Sequence, residues 1–201
     1  MANKRKVMLI ILDGVGSAPA SAGNAVVRAN PTHLSRMWST SPHAYLLASG
    51  NAVGLPSGTK GNSEVGHMNI GAGRVVVQTL PRINKSIKNK YFFNNGTLKE
   101  SLSYAKNFNS NVHILSLVSD GGVHAHINHL LATLEFFSQK GFQGNLFIHA
   151  FTDGRDSSVD ASTSFLDRIQ EHIDMYGVGQ IATICGRAWA MDRNRQWDRT
   201  K

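Results

Sequence analysis

The sequence predicts an α/β protein with a parallel sheet in a three-layer architecture. Short apolar runs without polar alternation occur in it, and such runs are typical of parallel strands that helices cover on both faces. In the C-terminal half, amphipathic segments with helical spacing separate three of these runs. That βαβαβ order predicts right-handed crossovers and helices packed on a parallel sheet.

The first apolar run, "VMLIIL" at residues 7–12, predicts a β-strand that ends at Asp13-Gly14. Its basic start and apolar run resemble a signal peptide, but the run is short and leads into Asp-Gly without a small-residue cleavage site, which favours a strand. Residues 17–62 are rich in Gly, Ser, Asn and Pro. One helix is predicted around residues 25–38, where Pro31 would interrupt or restart it.

Three further strands are predicted at residues 112–118, 146–151 and 180–185. The helix between the first two has apolar residues at helical spacing and stops at Gly141; they are Ile127, Leu130, Leu131, Leu134 and Phe137. The next helix stops at Gly177, and its apolar face comprises Phe165, Leu166, Ile169 and Ile173. This half of the chain is therefore the more regular one.

The 201 residues carry a formal net charge of +8, which fits nucleic acid, an acidic membrane surface or a small anionic substrate. Nucleic acid is disfavoured because aromatic stacking platforms and recognised motifs are lacking. No apolar run approaches the roughly 18 residues of a membrane span. The single cysteine, Cys185, cannot form an internal disulfide, so the cytoplasm is the default compartment.

A loop that combines glycine with histidine, aspartate or arginine follows each of the three later strands. The loops read "SDGGVHAH", "TDGRD" and "GRAWAMDRNR". Ligand sites in open parallel sheets lie beyond the carboxyl ends of the strands, so these loops are expected to converge. A site rich in guanidinium and imidazole groups suits a small ligand that bears phosphate and carboxylate.

Three histidines in the first loop, His124, His126 and His129, have a spacing that suits a transition metal. The alternative is that one of them binds substrate while the others pack against or cap the following helix. The sequence leaves both interpretations open.

Ser63 lies in the glycine-rich stretch "GNSEVGHMNIG" at residues 61–71. It could simply cap a helix, because serine is a favoured N-cap. The same position also suits a nucleophile, since a helix N-terminus stabilises negative charge on a phosphoryl group. Such a serine needs a base or a metal, and Asp13 is a suitable oxygen ligand for a divalent cation.

Six stretches together resemble the cofactor-independent (2,3-bisphosphoglycerate-independent) phosphoglycerate mutases of the alkaline phosphatase superfamily. They are "ILDGVG" at 11–16, "GNSEVGHMNIGAGR" at 61–74, "RINKSI" at 82–87, "SDGGVHAHINHL" at 119–130, "HAFTDGRD" at 149–156 and "GRAWAMDR" at 186–193. The resemblance covers essentially the whole chain, in order.

The resemblance implies an isomerase of glycolysis that interconverts 3-phosphoglycerate and 2-phosphoglycerate through a phosphoserine on a dimanganese site. Ser63 matches the nucleophile, and Asp13 and Ser63 match ligands of Mn²⁺. The matching substrate-binding residues are His124, Arg155, Asp156, Arg187 and Arg193. His124 and Asp156 would hold the substrate's hydroxyls. The resemblance also implies a monomer.

Residues 1–77 resemble the first piece of the family's phosphatase-like domain, and residues 78–201 resemble the first part of its inserted α/β transferase domain. The remaining metal ligands of the family have no counterpart in these residues, so this chain alone is expected to lack mutase activity. Residues 1–77 offer one predicted strand and are expected to fold less readily than the βαβαβ part. The alternative function is a catalytically dead remnant that binds anionic ligands or a partner.

Overall fold

A computed structural model describes residues 6–199. The chain divides into two compact units, Met1–Val77 and Gln78–Lys201. In the first unit the helices are α1 (Ala25–Arg28), α2 (Thr32–Thr40) and α3 (Ser63–Ala72), and a short 3-10 helix spans Gly50–Val53. Helix α2 begins directly after Pro31, as the sequence predicts, because proline is tolerated at a helix start and not in its interior.

The first predicted strand, residues 7–12, is wrong. These residues form neither helix nor strand, and their side chains are exposed, from 91% at Val7 to 42% at Ile11. A strand exists only when a neighbour takes its backbone hydrogen bonds, and none of residues 6–199 pairs with this segment. The apolar run thus predicts a buried strand, but no described segment pairs with it or covers it.

We expect the amide protons of residues 7–12 to exchange with solvent at least about a thousandfold faster than those of the sheet, a ratio that corresponds to roughly 4 kcal/mol of protection. The reason is that the amides of residues 7–12 donate no hydrogen bond to any described residue. Hydrogen exchange followed by mass spectrometry checks this. Comparable protection in residues 7–12 and in the buried residue Ile148 would contradict it.

The second unit contains helices α4 (Thr79–Lys88), α5 (Gly96–Asn107), α6 (Ile127–Gln139), α7 (Ser162–Tyr176) and α8 (Arg187–Ala190). Its strands are β1 (Val112–Val118), β2 (Leu146–Thr152) and β3 (Gln180–Gly186), and short 3-10 helices span Phe92–Asn94, Val159–Ala161 and Trp197–Arg199. The three predicted strands and the two predicted helices between them are confirmed. Helices α4 and α5 are additions that the sequence interpretation did not include.

The strands form a parallel sheet in the order β1-β2-β3, which confirms the predicted α/β class. Val112 pairs with Leu146, and the register of β2 and β3 shifts between Ile148 and His149. Because the three strands are parallel, their carboxyl ends lie at one edge, and the loops that follow them begin there. Within residues 6–199, the structure has no helix long and apolar enough to cross a membrane.

The core of this unit lies where α6 and α7 pack against the sheet. Leu134 and Phe136 of α6, Ile148 of β2 and Ile169 of α7 are completely buried. Each such side chain contributes about 2 kcal/mol through burial. Helix α7 ends at Gly177, whose φ of 63° is the left-handed conformation of a helix stop, as the sequence predicts. The strand-end loops therefore extend from a well-packed sheet.

Candidate active site

Ser63 is the first residue of α3, and its hydroxyl is not the cap of that helix. Asn62 is the N-cap, and its side-chain oxygen accepts a hydrogen bond from the Val65 N–H at 3.0 Å. The alternative that Ser63 serves as the cap is therefore wrong, because an amide side chain one residue earlier takes that role. As a result, the Ser63 hydroxyl is available for other contacts.

The Ser63 Oγ donates a hydrogen bond to Asp13 Oδ2 at 2.7 Å, across fifty positions of sequence. The structure thus brings together the two residues that the sequence analysis selected as nucleophile and metal ligand. Both residues are exposed. Adjacent carboxylate and hydroxyl oxygens are a donor set that suits a hard divalent cation.

His67 is a neighbour of Ser63 that sequence reasoning missed. Its Nδ1 lies 2.8 Å from the Ser63 carbonyl oxygen and 3.2 Å from the Ser63 Oγ. A carbonyl oxygen only accepts hydrogen bonds, so Nδ1 carries the proton and cannot take one from the hydroxyl in this arrangement. The signal that was available is the spacing of four residues, which places both side chains on one helix face.

Asp13 and Ser63 fit a metal in kind but do not form a complete ligand set. Within the described chain, no group of three or more His, Cys, Asp and Glu side chains could hold a metal ion. A cation such as Mn²⁺ takes several ligands, so the pair supplies only part of a coordination sphere.

In the second unit, Arg187 joins two of the strand-end loops through ion pairs. Its Nη1 donates to Asp153 Oδ1 at 3.0 Å and to Asp156 Oδ2 at 2.5 Å. The Asp153 side chain is only 1% exposed, and that of Arg187 is 12% exposed. Arg187 and Asp156 were both predicted as site residues, whereas Asp153 was not.

The hydrogen bonds of this cluster stabilise the charged forms of Asp153 and Arg187. Burial alone would raise the pKa of Asp153, but hydrogen bonds from the Ser119 hydroxyl, from the N–H groups of Arg155 and Asp156 and from Arg187 lower that pKa well below its usual range. The pKa of Arg187 is raised by its hydrogen bonds to Asp156 and Asp153. The second oxygen of Asp153, Oδ2, is buried without a hydrogen bond of ordinary geometry to any described residue.

His124 approaches the same cluster from the first loop. Its Nε2 lies 3.9 Å from Asp156 Oδ2, which is too far for a hydrogen bond, and its side chain is 46% exposed. This loop lies close to Asp156 because Gly121 packs directly on the Asp156 backbone. A Cβ added to Gly121 would lie 2.2 Å from the carbonyl oxygen of Asp156. Sequence reasoning singled out His124 and missed the role of Gly121.

All three predicted arginines line one open cleft of about 420 Å³ in the second unit. They are Arg155, Arg187 and Arg193, and a fourth arginine, Arg199, joins them. Arg199 donates to the Ala188 carbonyl at 2.9 Å and pairs with Asp192 at 3.4 Å. The cleft therefore concentrates guanidinium groups, as the sequence of the strand-end loops predicts. Guanidinium groups suit carboxylate and phosphate ligands.

The other two histidines of the first loop make structural contacts. His126 is the N-cap of α6, and its ring accepts from the Asn128 N–H at 3.2 Å. His129 Nε2 lies 2.7 Å from Asn84 Oδ1 and so links α6 to α4. Burial is the main cause that lowers the pKa of each ring. These contacts favour capping and packing over a local metal site.

The family model described as "BPG-independent PGAM N-terminus" matches residues 83–201. The chain belongs to this family. The resemblance to the 2,3-bisphosphoglycerate-independent phosphoglycerate mutases, which rested on six motifs, is thereby confirmed.

Curated proteins named 2,3-bisphosphoglycerate-independent phosphoglycerate mutase are similar over nearly the whole chain. The one from Listeria welshimeri is 47% identical over 199 residues, and the one from Clostridium beijerinckii is 48% identical over the same length. In both comparisons the match covers 99% of this chain and 39% of the relative. The chain therefore spans about two fifths of the length of these mutases.

A solved structure is similar as well. It is described as "Crystal structures of Leishmania mexicana phosphoglycerate mutase at low cobalt concentration". The two share 30% identity with a TM-score of 0.66, over 93% of this chain and 35% of the Leishmania chain. The fold of this mutase-family chain thus agrees with that of a solved phosphoglycerate mutase.

Proposed function

We propose that this chain contributes the nucleophile and the substrate-binding arginines of a phosphoglycerate mutase that interconverts 3-phosphoglycerate and 2-phosphoglycerate in glycolysis and gluconeogenesis. The observation that carries the proposal is the hydrogen bond from the Ser63 Oγ to Asp13 at the N-terminus of α3. Family membership supports the reaction class. The domain assignment is part of the proposal: Met1–Val77 belongs to the phosphatase-like domain, and Gln78–Lys201 belongs to the transferase domain.

In the proposed reaction, the Ser63 Oγ attacks phosphorus. The Oγ–P bond forms as the bond from phosphorus to the C3 oxygen of the substrate breaks. The Ser63 proton leaves, and the C3 oxygen takes up a proton to become a hydroxyl. The phosphoryl group then moves from Ser63 to the 2-hydroxyl by the reverse bond changes, which restores the serine.

Asp13 holds the Ser63 hydroxyl in one orientation before the attack, and the N-terminus of α3 favours the negative phosphoryl group. Asp13 and Ser63 would also hold Mn²⁺, with further ligands from outside the described residues. When bound, the ion lowers the pKa of a coordinated hydroxyl and neutralises phosphate oxygens. Cobalt is named for the similar Leishmania enzyme, so the choice of metal is part of the test.

The second unit would bind the glycerate. Arg155, Arg187 and Arg193 line a cleft whose guanidinium groups suit the carboxylate and the phosphate. His124 and Asp156 would hydrogen-bond the substrate's hydroxyls. A monomeric cytoplasmic enzyme completes the proposal, and sedimentation of the purified chain tests the monomer.

Ser63→Ala is expected to abolish phosphoryl transfer, because no other described hydroxyl takes its place beside Asp13. The readout is a chimera that joins this chain to the remainder of the Listeria welshimeri relative, quenched during turnover with 3-phosphoglycerate and Mn²⁺ or Co²⁺. Mass spectrometry should find one phosphoryl group on the peptide containing Ser63. Ser57→Ala, at an exposed serine of the same unit, should leave the phosphopeptide unchanged.

The chain alone is expected to show no turnover of 3-phosphoglycerate, since Asp13 and Ser63 supply only part of a metal site. Activity of the chimera together with an inactive chain supports the proposal. Robust turnover by the chain alone contradicts this expectation. A chimera that binds 3-phosphoglycerate without phosphorylating Ser63 would instead favour the catalytically dead remnant.

A further inference from the structure

Asp153 is the buried centre of the strand-end loops in the second unit. Its Oδ1 accepts three N–H groups: Arg155 N at 2.9 Å, Asp156 N at 3.2 Å and Arg187 Nη1 at 3.0 Å. Two of these donors fix the turn that carries Arg155 and Asp156, and the third fixes the first residue of α8. A single carboxylate oxygen thus organises three of the predicted binding residues.

The contacts of Arg187 with the residues described use one of its three nitrogens. Both carboxylates engage Nη1, and no hydrogen bond to another described residue is formed by Nε or Nη2. These two nitrogens form the side-on edge of the guanidinium group, which binds carboxylate or phosphate through two parallel hydrogen bonds. The same side chain is also a lining residue of the cleft.

We propose that Asp153 is a positioning residue, which holds Arg187 by Nη1 and so keeps its Nε and Nη2 edge free for an oxyanion of the substrate. This inference rests on the proposed function and adds a residue to it. Asp153 is one of the lining residues of the cleft, but its carboxylate is not expected to touch the ligand, because the side chain is 1% exposed and its second oxygen is buried.

Asp156 cannot take over this task. Its carboxylate also contacts Nη1, but its side chain is 17% exposed and lies 3.9 Å from His124, where the ligand is proposed to bind. A substrate hydroxyl that hydrogen-bonds Asp156 competes with Arg187 for that carboxylate. Asp153 is shielded from such competition and therefore keeps Arg187 in place in both the free and the liganded protein.

The test compares wild type, Asp153→Asn and Asp167→Asn as the whole chain. The asparagine at position 153 keeps a carbonyl acceptor for the turn while it removes the charge that holds Arg187. Asp167 is an exposed aspartate on α7, so Asp167→Asn is matched in chemistry and remote in role. The measurements are titration calorimetry with 3-phosphoglycerate and the ¹⁵N relaxation of the Arg187 Nε–H, which Arg187→Lys identifies by its disappearance.

We expect Asp153→Asn to weaken 3-phosphoglycerate binding about tenfold, because the charge-assisted hydrogen bond that orients Arg187 is lost. The Arg187 Nε–H should become mobile on the nanosecond timescale, whereas Asp167→Asn should match wild type in both measurements. Unchanged affinity together with an unchanged Arg187 signal would overturn the inference.

Arg187→Lys tests the same inference if Asp153→Asn does not fold. Lysine can satisfy Asp153 but has no side-on edge, so affinity should again fall about tenfold, and wild-type affinity would overturn the inference. If the wild-type chain by itself does not bind 3-phosphoglycerate, the proposed function is decided by the phosphopeptide of the chimera. The Arg187 relaxation then decides the positioning role alone: a signal that is rigid in wild type and mobile in Asp153→Asn supports it, and equal signals overturn it.

Discussion

Gly121→Ala is expected to lower the free energy of unfolding of the second unit by about 3 kcal/mol, the upper end of the usual cost of overpacking. The added Cβ would lie 2.2 Å from the Asp156 carbonyl oxygen, 2.7 Å from its carbonyl carbon and 2.9 Å from its Cβ. Two of these three atoms are backbone, so no rotation of a flexible side chain relieves the clash. One of the two loops must move.

The same substitution is expected to reduce ligand binding more than the stability loss alone would. Gly121 lies three residues before His124, and the carboxylate of Asp156 accepts a hydrogen bond from Arg187. A displacement at the contact of Gly121 with Asp156 therefore changes the position of His124 relative to Asp156, of Asp156 relative to Arg187, or of both. Calorimetric titration with 3-phosphoglycerate measures this under conditions where the variant is folded.

Gly96→Ala is the matched control for Gly121→Ala. Gly96 is the first residue of α5, and an added Cβ there meets nothing within 4 Å. Its urea midpoint should equal or slightly exceed that of wild type, because alanine favours a helix over glycine. Equal midpoints for Gly121→Ala and wild type would show that the loops are not in the close contact described.

The sequence predicts best those parts of the fold whose pattern is local. Strands β1, β2 and β3 are indicated by apolar runs, and α6 and α7 by their spacing and by the glycines that follow them. Residues 7–12 carry an equally clear apolar run, but a strand also requires a partner, which a single segment does not reveal. Helix α5 follows the capping residue Asn95, whose side chain accepts a hydrogen bond from the Leu98 N–H. An asparagine N-cap is a local signal for a helix start, so α5 could have been predicted.

The candidate site likewise contains residues that the sequence predicts and residues that it does not. Topology placed the loops at one edge of the sheet, and the arginines of the cleft follow from that placement. Asp153 and Gly121 act through a hydrogen-bonded turn and a close backbone approach, which depend on distances between segments far apart in sequence. Chemistry-bearing side chains are therefore visible in the sequence, whereas the residues that position them require coordinates.

Asp153→Asn is expected to lower the free energy of unfolding by about 2 kcal/mol at pH 7, within the range for a buried charged hydrogen bond. This loss should shrink as the pH falls. Burial would raise the pKa of Asp153, but hydrogen bonds from Ser119, from the backbone and from Arg187 lower it well below 3.8. A carboxyl with a lowered folded pKa contributes its full stability above its unfolded pKa and loses it as the pH falls toward the folded one.

The difference between wild type and Asp153→Asn should therefore be constant from about pH 7 to 5 and decrease below about pH 4, where an unfolded aspartate gains its proton. Arg187, Asp156 and His124 also face this cluster, and they are unchanged in the variant. Urea unfolding at a series of pH values measures it. Asp167→Asn should differ little from wild type throughout, since that side chain is exposed. A difference for Asp153→Asn that stays constant down to pH 3 would mean that the charge of Asp153 does not contribute to stability.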